Sequence, residues 1–337
     1  MSQTVVPRFG SHYRQDEISL VCRHALSGES LCFVGVAGTG KSNMLKYLRD
    51  DRENKRQYLG DAVDRVHFPM VDTTVWEGTP LSLWRLMLDA LETLLAPLSP
   101  PPLGSRPGPR TEEGQVMGCI EQRLTWACQE LGQQVMFLFD DFDRAFVSGP
   151  LSMLEQLNRL RGGNRERLSY CVFTRKLPHI LGREHNLAGQ CKFYDLLRHN
   201  IYALGLYTEE DARLMLRHLN AVAGAPLSRT QLRQIEELAG GHARLLKVLF
   251  DLWAATPPPA IDTTAYLASQ PDVEQECRRI LDGLHRHEQE VARRLARGTA
   301  TGEDQAVVDH LARRGLLVRG SGIRWFSPLF ERFLRRQ

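Results

Sequence analysis

One run of eight residues has the types and the spacing that hold a phosphate group. It reads Gly35-Val36-Ala37-Gly38-Thr39-Gly40-Lys41-Ser42, the pattern GxxxxGK[ST] without a mismatch. Glycines let successive backbone N–H groups converge on phosphate oxygens, and the helix predicted from Asn43 onward adds the positive end of its dipole. Lys41 would reach the β- and γ-phosphates, and the Ser42 hydroxyl would bind magnesium. This run, the P-loop, therefore predicts a site for ATP or ADP with Mg²⁺ that also includes Asn43.

Two neighbouring acidic residues, Asp140 and Asp141, are the second candidates for chemistry. They follow residues 135–139, an apolar run that predicts a buried parallel strand. Such a strand would deliver Asp140 to the sheet edge beside the P-loop, where it would hold Mg²⁺ through water. Asp141 would lie where a carboxylate polarises the water that attacks ATP. An ordinary turn residue at a strand end is the alternative for Asp140.

Apolar runs and helical patterns alternate along the first part of the chain. Five apolar runs predict strands, at residues 31–34, 66–71, 135–139, 168–173 and 201–204. Amphipathic patterns between them, such as residues 81–95 and 120–131, predict helices. Strands that alternate with helices indicate a parallel sheet covered by helices. After residue 208 the strands stop, and residues 209–219 and 229–238 have helical periodicity.

The composition is that of a folded protein with more than one unit. Of 337 residues, 42% are hydrophobic and 25% charged, which predicts two or three units with an ample core. A net charge of +3 permits an anionic partner without requiring one. The seven cysteines form no CxxC pair, so free buried thiols are expected. Because neither a signal peptide nor a run of about 18 apolar residues occurs, we expect a cytoplasmic protein without a membrane partner.

The residues around Asp140 resemble a known superfamily. Residues 139–144 (FDDFDR) are similar to the Walker B segment of AAA+/STAND proteins, near the Orc/Cdc6-type initiators and the bacterial STAND ATPases. The resemblance implies an α/β fold, with an AAA+-like P-loop parallel sheet, a helical lid and a C-terminal winged-helix domain. It also implies ATP hydrolysis. Since many hydrolysing relatives have glutamate at the position of Asp141, slow hydrolysis is one interpretation.

Two segments that flank this core extend the resemblance. Phe9-Gly10 together with residues 14–17 (RQDE) is similar to a box that packs on the adenine in that family. Residues 168–175 (LSYCVFTR) look like the sensor-1 strand. That assignment would place the Thr174 hydroxyl between Asp141 and the γ-phosphate; a cap at the end of a strand is the alternative.

Two further segments resemble parts of the lid. Residues 204–212 are similar to the entry to the lid, and Thr208 is predicted as a helix N-cap. Residues 240–244 (GGHAR) resemble both the sensor-2 motif of initiators and the GGhP motif of STAND proteins. The initiator motif implies that Arg244 contacts the γ-phosphate, whereas a solvated helix cation is the alternative.

The C-terminal segment predicts a winged-helix domain. Helices are expected at residues 287–296, 303–314 and 329–336, with a hairpin of strands at residues 315–319 and 323–326. From residue 271 onward there are 13 arginines and no lysine against 10 acidic residues. The predicted recognition helix carries acidic residues as well as Arg313 and Arg314, so Arg319 and Arg324 are the better candidates for contacts with DNA phosphates. Protein contacts are the alternative use of this domain.

These interpretations predict four segments and a function. Residues 1–205 form the P-loop nucleotide-binding domain, residues 206–256 the helical lid, residues 257–271 a linker and residues 272–337 the winged-helix domain. ATP would sit between the sheet domain and the lid of an ATPase switch that relays its state through the winged helix to a protein partner. One alternative is an initiator- or transposition-like ATPase that binds duplex DNA, as a nucleotide-dependent oligomer. The other is a nucleotide-stabilised adaptor with negligible hydrolysis.

Overall fold

The computed structural model of the protein describes residues 9–50, 52–103, 111–184, 186–259, 261–320 and 322–337. The chain divides into two compact units. The sheet unit comprises residues 15–34 and 41–202, and the helical unit comprises residues up to 14, residues 35–40 and residues 203–337. The P-loop is shared between them, because residues 35–40 belong to the helical unit while Lys41 and Ser42 belong to the sheet unit.

A parallel β-sheet is the centre of the sheet unit. Its strands are β1 (Leu31–Val34), β2 (Val66–His67), β3 (Met70–Asp72), β4 (Gln134–Asp140), β5 (Leu168–Thr174) and β6 (Ile201–Ala203). Their order is β2-β4-β5-β1-β6, and β3 also pairs with β4. The pairs β1–β5, β2–β4, β3–β4 and β4–β5 are parallel. The predicted α/β fold with a parallel sheet is confirmed.

The strand predicted at residues 66–71 is interrupted in the middle. It forms two short pieces, β2 and β3, which both pair with β4 and are separated by Phe68 and Pro69. Pro69 has no N–H to donate to a ladder, although its carbonyl accepts a hydrogen bond of 2.9 Å from the N–H of Leu138. The register of β3 places Asp72 opposite Asp140.

Helices on the sheet enclose an aromatic core. They are α1 (Gln15–Ser27), α2 (Lys41–Asp50), α3 (Arg52–Leu59), α4 (Pro80–Leu95), α5 (Glu112–Leu124), α6 (Asp143–Ser148), α7 (Leu151–Gly163), α8 (Pro178–Leu181), α9 (Leu187–Gln190) and α10 (Lys192–Asp195). Trp84 of α4, Phe137 of β4 and Tyr170 of β5 are completely buried in this core. The Tyr170 hydroxyl donates to the carbonyl of Leu157 at 2.7 Å, so its polar atom is satisfied. This packing fixes β4 and β5, whose ends carry Asp140 and Thr174.

The described residues of the helical unit form eight further α-helices and one hairpin. The helices are α11 (Glu209–Val222), α12 (Arg229–Ala239), α13 (Ala243–Ala255), α14 (Thr263–Ala268), α15 (Pro271–Asp282), α16 (Arg286–Ala296), α17 (Gln305–Arg313) and α18 (Pro328–Arg336). Thr208 accepts a hydrogen bond from the N–H of Asp211, which confirms it as the N-cap of α11. Helix α14 lies inside the segment predicted as a linker, in which residue 260 is outside the described residues. No helix in the described ranges is long and apolar enough to cross a bilayer.

The C-terminal hairpin follows the predicted positions closely. Strands β7 (Leu317–Arg319) and β8 (Ile323–Trp325) are antiparallel, and residue 321 of the predicted turn lies outside the described residues. Ser327 caps α18 and its hydroxyl donates to the carbonyl of Leu238 at 2.6 Å. That bond ties the beginning of α18 to the end of α12.

Candidate functional site

Two oxygen-bearing side chains meet at the carboxyl end of β4. Ser42 is the second residue of α2, and Asp140 is the last residue of β4. The Ser42 hydroxyl donates a hydrogen bond of 2.6 Å to Oδ2 of Asp140. Burial raises the pKa of the Asp140 carboxyl, whereas the bond from Ser42 and the charge of Lys41 lower it. Hydroxyl and carboxylate oxygens are the ligands that Mg²⁺ prefers, so this pair fits the predicted metal site.

Lys41 is the first residue of α2 and is buried among carboxylates. Burial lowers the pKa of its ammonium group, and the negative charges of Asp140, Asp141 and Asp143 oppose that effect. These carboxylates keep a cation at the beginning of a helix, where the dipole also attracts an anion. The position of Lys41 is therefore suited to a phosphate group.

Asp141, the predicted water-polarising residue, is held by an arginine. Its φ of +58° lies in the left-handed region, which aspartate tolerates better than most residues. Nε of Arg175 donates to Oδ1 of Asp141 at 3.0 Å, and Nη2 donates to Oδ2 at 2.8 Å. Two parallel bonds of this kind form a bidentate pair. The direction of the Asp141 carboxylate is therefore set by Arg175.

Arg175 also binds the next acidic residue through its main chain. Its backbone N–H donates to both carboxylate oxygens of Asp143 at 3.0 Å. Burial, followed by the charge of Asp141, raises the pKa of Asp143 to about 6, although Arg175 and Lys41 act in the opposite direction. One arginine thus organises the acidic residues that follow β4.

The Thr174 hydroxyl, predicted as a sensor, lies beside a thiol. Thr174 is the last residue of β5 and is completely buried. Its Oγ1 lies 3.6 Å from Sγ of Cys32 in β1, within hydrogen-bonding distance of a thiol. The side chain that bonds Asp141 is that of the following residue, Arg175.

The beginning of α13 holds two carbonyl groups of the P-loop. Nδ1 of His242, the N-cap of α13, accepts the N–H of Leu245 at 3.2 Å. The ring hydrogen is therefore on Nε2, which lies 2.8 Å from the Ala37 carbonyl and donates to it. The backbone N–H of Arg244 donates to the Gly38 carbonyl at 3.0 Å. Helix α13 and the P-loop are thus bonded at two successive residues.

Arg14 holds the third carbonyl. Its Nη2 donates to the Thr39 carbonyl at 2.6 Å and to the Gly205 carbonyl at 3.0 Å. The side chain is buried, and its guanidinium lies 4.9 Å from the ring centroid of Tyr207. The Tyr207 hydroxyl in turn lies 3.1 Å from that of Tyr13. The segment predicted to pack on an adenine is therefore ordered around Arg14.

These three contacts decide which way the P-loop amides point. In a trans peptide the C=O and N–H groups point in opposite directions, and the described residues contain no cis peptide. The N–H groups of residues 38–40 therefore face away from the groups that bind the carbonyls. Gly38 and Gly40 have φ of +80° and +94°, a region that other residues avoid. A Cβ on Gly40 would also lie 2.5 Å from the Tyr207 hydroxyl, so only glycine fits there.

The Arg244 side chain, predicted to contact the γ-phosphate, pairs with an acid. Its Nε lies 3.3 Å from Oε2 of Glu276 in α15, and the arginine side chain is 56% exposed. Sequence reasoning assigned no role to Glu276, and no local pattern distinguishes it from other acids of the helical unit. It also assigned none to Arg175 or His242, although both lie inside motifs quoted for their neighbours.

Comparison with solved structures shows what fold these contacts belong to. A Walker-type ATPase of Pyrococcus abyssi superposes on the chain with a TM-score of 0.58 and 13% identity, over 95% of both chains. The chain has the P-loop α/β fold of this Walker-type ATPase. No protein-family model and no curated protein sequence matches it.

Two other solved structures are similar over almost their full length. The ORC2 protein of Aeropyrum pernix, in its ADPNP–ADP complexes, has a TM-score of 0.49 and 12% identity, covering 100% of this chain and 96% of its own. The ORC1 protein of the same organism, in complex with DNA, has a TM-score of 0.46 and 14% identity, covering 100% and 95%. The predicted likeness to P-loop ATPases is confirmed, at the level of the fold, by the Walker-type ATPase.

The described residues fit the nucleotide that a P-loop fold implies. The P-loop supplies amides that face away from their packing partners, glycines in the conformation that requires glycine, and a buried lysine. Ser42 and Asp140 supply adjacent oxygens for Mg²⁺. Three of the predicted site residues, Lys41, Ser42 and Asp140, are therefore brought together in the sheet unit.

Proposed function

We propose that the chain is an ATP-binding switch of the AAA+/STAND type that hydrolyses ATP with Mg²⁺. The observation that carries this proposal is the attachment of three successive P-loop carbonyls to His242, Arg244 and Arg14. A ligand that binds the amides of residues 38–40 acts on the same peptide units. A ligand bound to the P-loop would therefore alter its contacts with the beginning of α13, within the helical unit.

The roles of the site residues follow from their chemistry. The amides of residues 35–43 and the Lys41 ammonium would hold the phosphates, and Ser42 and Asp140 would hold Mg²⁺, which supplies charge neutralisation at the phosphates. Asp141 would polarise the attacking water. Thr174 remains the proposed sensor residue and Arg244 the proposed γ-phosphate contact. In the structure, Thr174 lies beside Cys32 and Arg244 pairs with Glu276.

We assign the relay to the C-terminal residues. The proposal includes domain boundaries at residues 205, 256 and 271 and a winged helix at residues 272–337. The hairpin β7–β8 between α17 and α18 supports the winged helix. The switch would act on a protein partner and form oligomers in response to nucleotide. The seven cysteines are free thiols, which supports a cytoplasmic location.

Duplex DNA is the alternative partner, and the pairing of arginines disfavours it. Arg314 is completely buried and bonds Glu288 at 3.0 Å, so it is unavailable to a phosphate. Arg319, one of the two predicted wing contacts, pairs with Asp309. Arg324 is exposed and is the better candidate of the pair.

The first experiment measures the nucleotide released from freshly purified protein by denaturation, separated by chromatography. We expect near-stoichiometric ADP, because a switch rests in a closed form. Lys41→Ala should release none and should bind no added ATP, since a buried cation that faces the phosphates is lost. Lys46→Ala, on the exposed side of the same helix, is the matched control and should behave as wild type. Nucleotide binding by Lys41→Ala would contradict the proposal.

A further inference from the structure

Glu276 is an acid buried at the P-loop. It lies in the middle of α15 and is 3% exposed. Its Oε2 lies 3.3 Å from Nε of Arg244 and 3.6 Å from Nη1 of Arg279. Oε1 is buried and, within the described residues, has no hydrogen-bond partner. A carboxylate oxygen without a partner in the interior is costly, so its position requires an explanation.

The unpartnered oxygen is directed at the phosphate-binding loop. A Cβ built on Gly38 would lie 2.6 Å from Oε1 of Glu276 and 2.5 Å from Cε1 of His242. A Cβ on Gly283, the residue after α15, would lie 3.7 Å from the backbone nitrogen of Ala37. The end of α15 therefore lies on the P-loop, and Glu276 presents a negative charge to it.

The P-loop and Glu276 have opposite effects on an anion. The P-loop attracts anions through its amides, whereas Glu276 repels an anion near Gly38. The Arg244 guanidinium pairs with Glu276 and is also the proposed phosphate contact. A bound polyphosphate would compete for that cation and bring like charges close together.

We propose that Glu276 competes with the phosphates of a bound nucleotide for Arg244, so that nucleotide binding and the attachment of α15 to the P-loop weaken each other. The proposal rests on nucleotide binding by the P-loop, and adds the residue that transmits it to α15. Coupling of this kind is reciprocal. The factor by which attachment of α15 weakens nucleotide binding is therefore also the factor by which nucleotide binding weakens that attachment. Helix α15 would thus be the first element of the C-terminal residues to respond.

The test compares the full-length protein with Glu276→Gln, which removes the charge and keeps the shape. Dissociation constants for ADP and ATP with Mg²⁺ are measured by titration calorimetry. We expect Glu276→Gln to bind both nucleotides about tenfold more tightly, in the usual range of coupling between two sites. Glu274→Gln removes an exposed acid of the same helix that pairs only locally with Arg278, and should bind as wild type does.

Hydrogen exchange of α15 supplies a second readout that does not depend on activity. In wild type, saturating ADP should speed exchange in α15; in Glu276→Gln, exchange should already be fast and should change little. Glu276→Asp keeps the charge and serves if the glutamine variant does not fold; its affinity should lie between the other two. Equal or weaker nucleotide binding by Glu276→Gln would overturn the proposed competition by Glu276 alone, and so would wild-type exchange that nucleotide does not change. Absence of binding in every variant and in wild type would instead overturn the proposed nucleotide site, and the competition by Glu276 with it.

Discussion

At the scale of single residues, the feature that matters most is the pair between Asp141 and Arg175. A bidentate bond to an arginine fixes the plane of the carboxylate. Asp143, held by the main chain of the same arginine, adds a second acid at the end of β4. Asp141 is only partly buried, with 26% of its side chain exposed, so water has access to it. That combination suits a residue that orients water.

The corresponding prediction concerns Asp141→Asn. The amide keeps the shape and can still accept one bond from Arg175, but it cannot polarise water as a carboxylate does. We expect ATP turnover to fall by about 10²-fold or more, in the range for general-base catalysis, with unchanged affinity for ADP. Phosphate release gives the turnover and calorimetry the affinity. Asp195→Asn, an exposed carboxylate of the same unit paired with Arg198, is the control. Equal turnover in wild type and Asp141→Asn would exclude Asp141 from the chemistry.

At the scale of elements, a buried charge cluster joins α16 to the end of α17. Nδ1 of His310 donates to Glu288 at 2.7 Å, and Nη1 of Arg314 donates to the same carboxylate at 3.0 Å. The N–H of His285 completes a capping box with Glu288 at the beginning of α16. Burial alone would raise the pKa of Glu288, but His310, Arg314 and the His285 N–H together lower it to about 2. The cluster therefore stabilises the helices only while Glu288 is ionised.

This cluster predicts a pH-dependent stability. A carboxyl whose pKa falls from 4.5 to about 2 on folding adds stability that is complete above pH 4.5 and is lost as the pH falls toward 2. We expect Glu288→Gln to lower the free energy of unfolding at pH 7 by about 3 kcal/mol, because it also leaves Arg314 buried without its partner. The difference from wild type should shrink between pH 4.5 and pH 2.

Urea unfolding at pH 7 and at pH 2.5 measures the difference in unfolding free energy between wild type and Glu288→Gln. Glu290→Gln, on the exposed side of α16, should change stability by less than about 0.5 kcal/mol at either pH. The same loss for Glu288→Gln at both pH values would contradict the charge-based account.

At the scale of the whole molecule, three arginines of residues 271–337 join separate parts of that segment through ion pairs. Arg294 pairs with Asp304, Arg314 with Glu288 and Arg319 with Asp309. Each pair joins two parts of the segment that the sequence assigns to a winged helix. These three arginines are therefore already neutralised by acids of the same segment.

Binding to duplex DNA should accordingly be weak. We expect a Kd no tighter than about 10⁻⁶ M at physiological salt, the range of non-specific binding, in the presence of either ADP or ATP. Fluorescence anisotropy with labelled duplexes at several salt concentrations measures the affinity and its salt dependence. Arg324→Ala should reduce even this residual binding, because Arg324 is exposed. Nanomolar binding that depends on ATP would instead support the initiator-like alternative.

Several features of this protein were determined by the sequence alone. The P-loop pattern, the apolar strand before Asp140 and the cap at Thr208 each depend on residues close together in the chain, and the structure has these elements where they were predicted. Local patterns succeed because hydrophobic periodicity, caps and glycine turns are properties of short segments. Even the interruption between β2 and β3 has a local cause in Pro69.

The tertiary structure alone decided which side chains face one another. Arg175 reaches Asp141 across 34 positions of the chain, and His242 reaches Ala37 across 205. The contact of Glu276 with Arg244 and with the surroundings of Gly38 likewise depends on how α15 packs on the P-loop. No spacing rule encodes such pairs, because they follow from the packing of whole helices and strands. The motifs therefore identified the phosphate loop, and the packing identified the residues that would make it a switch.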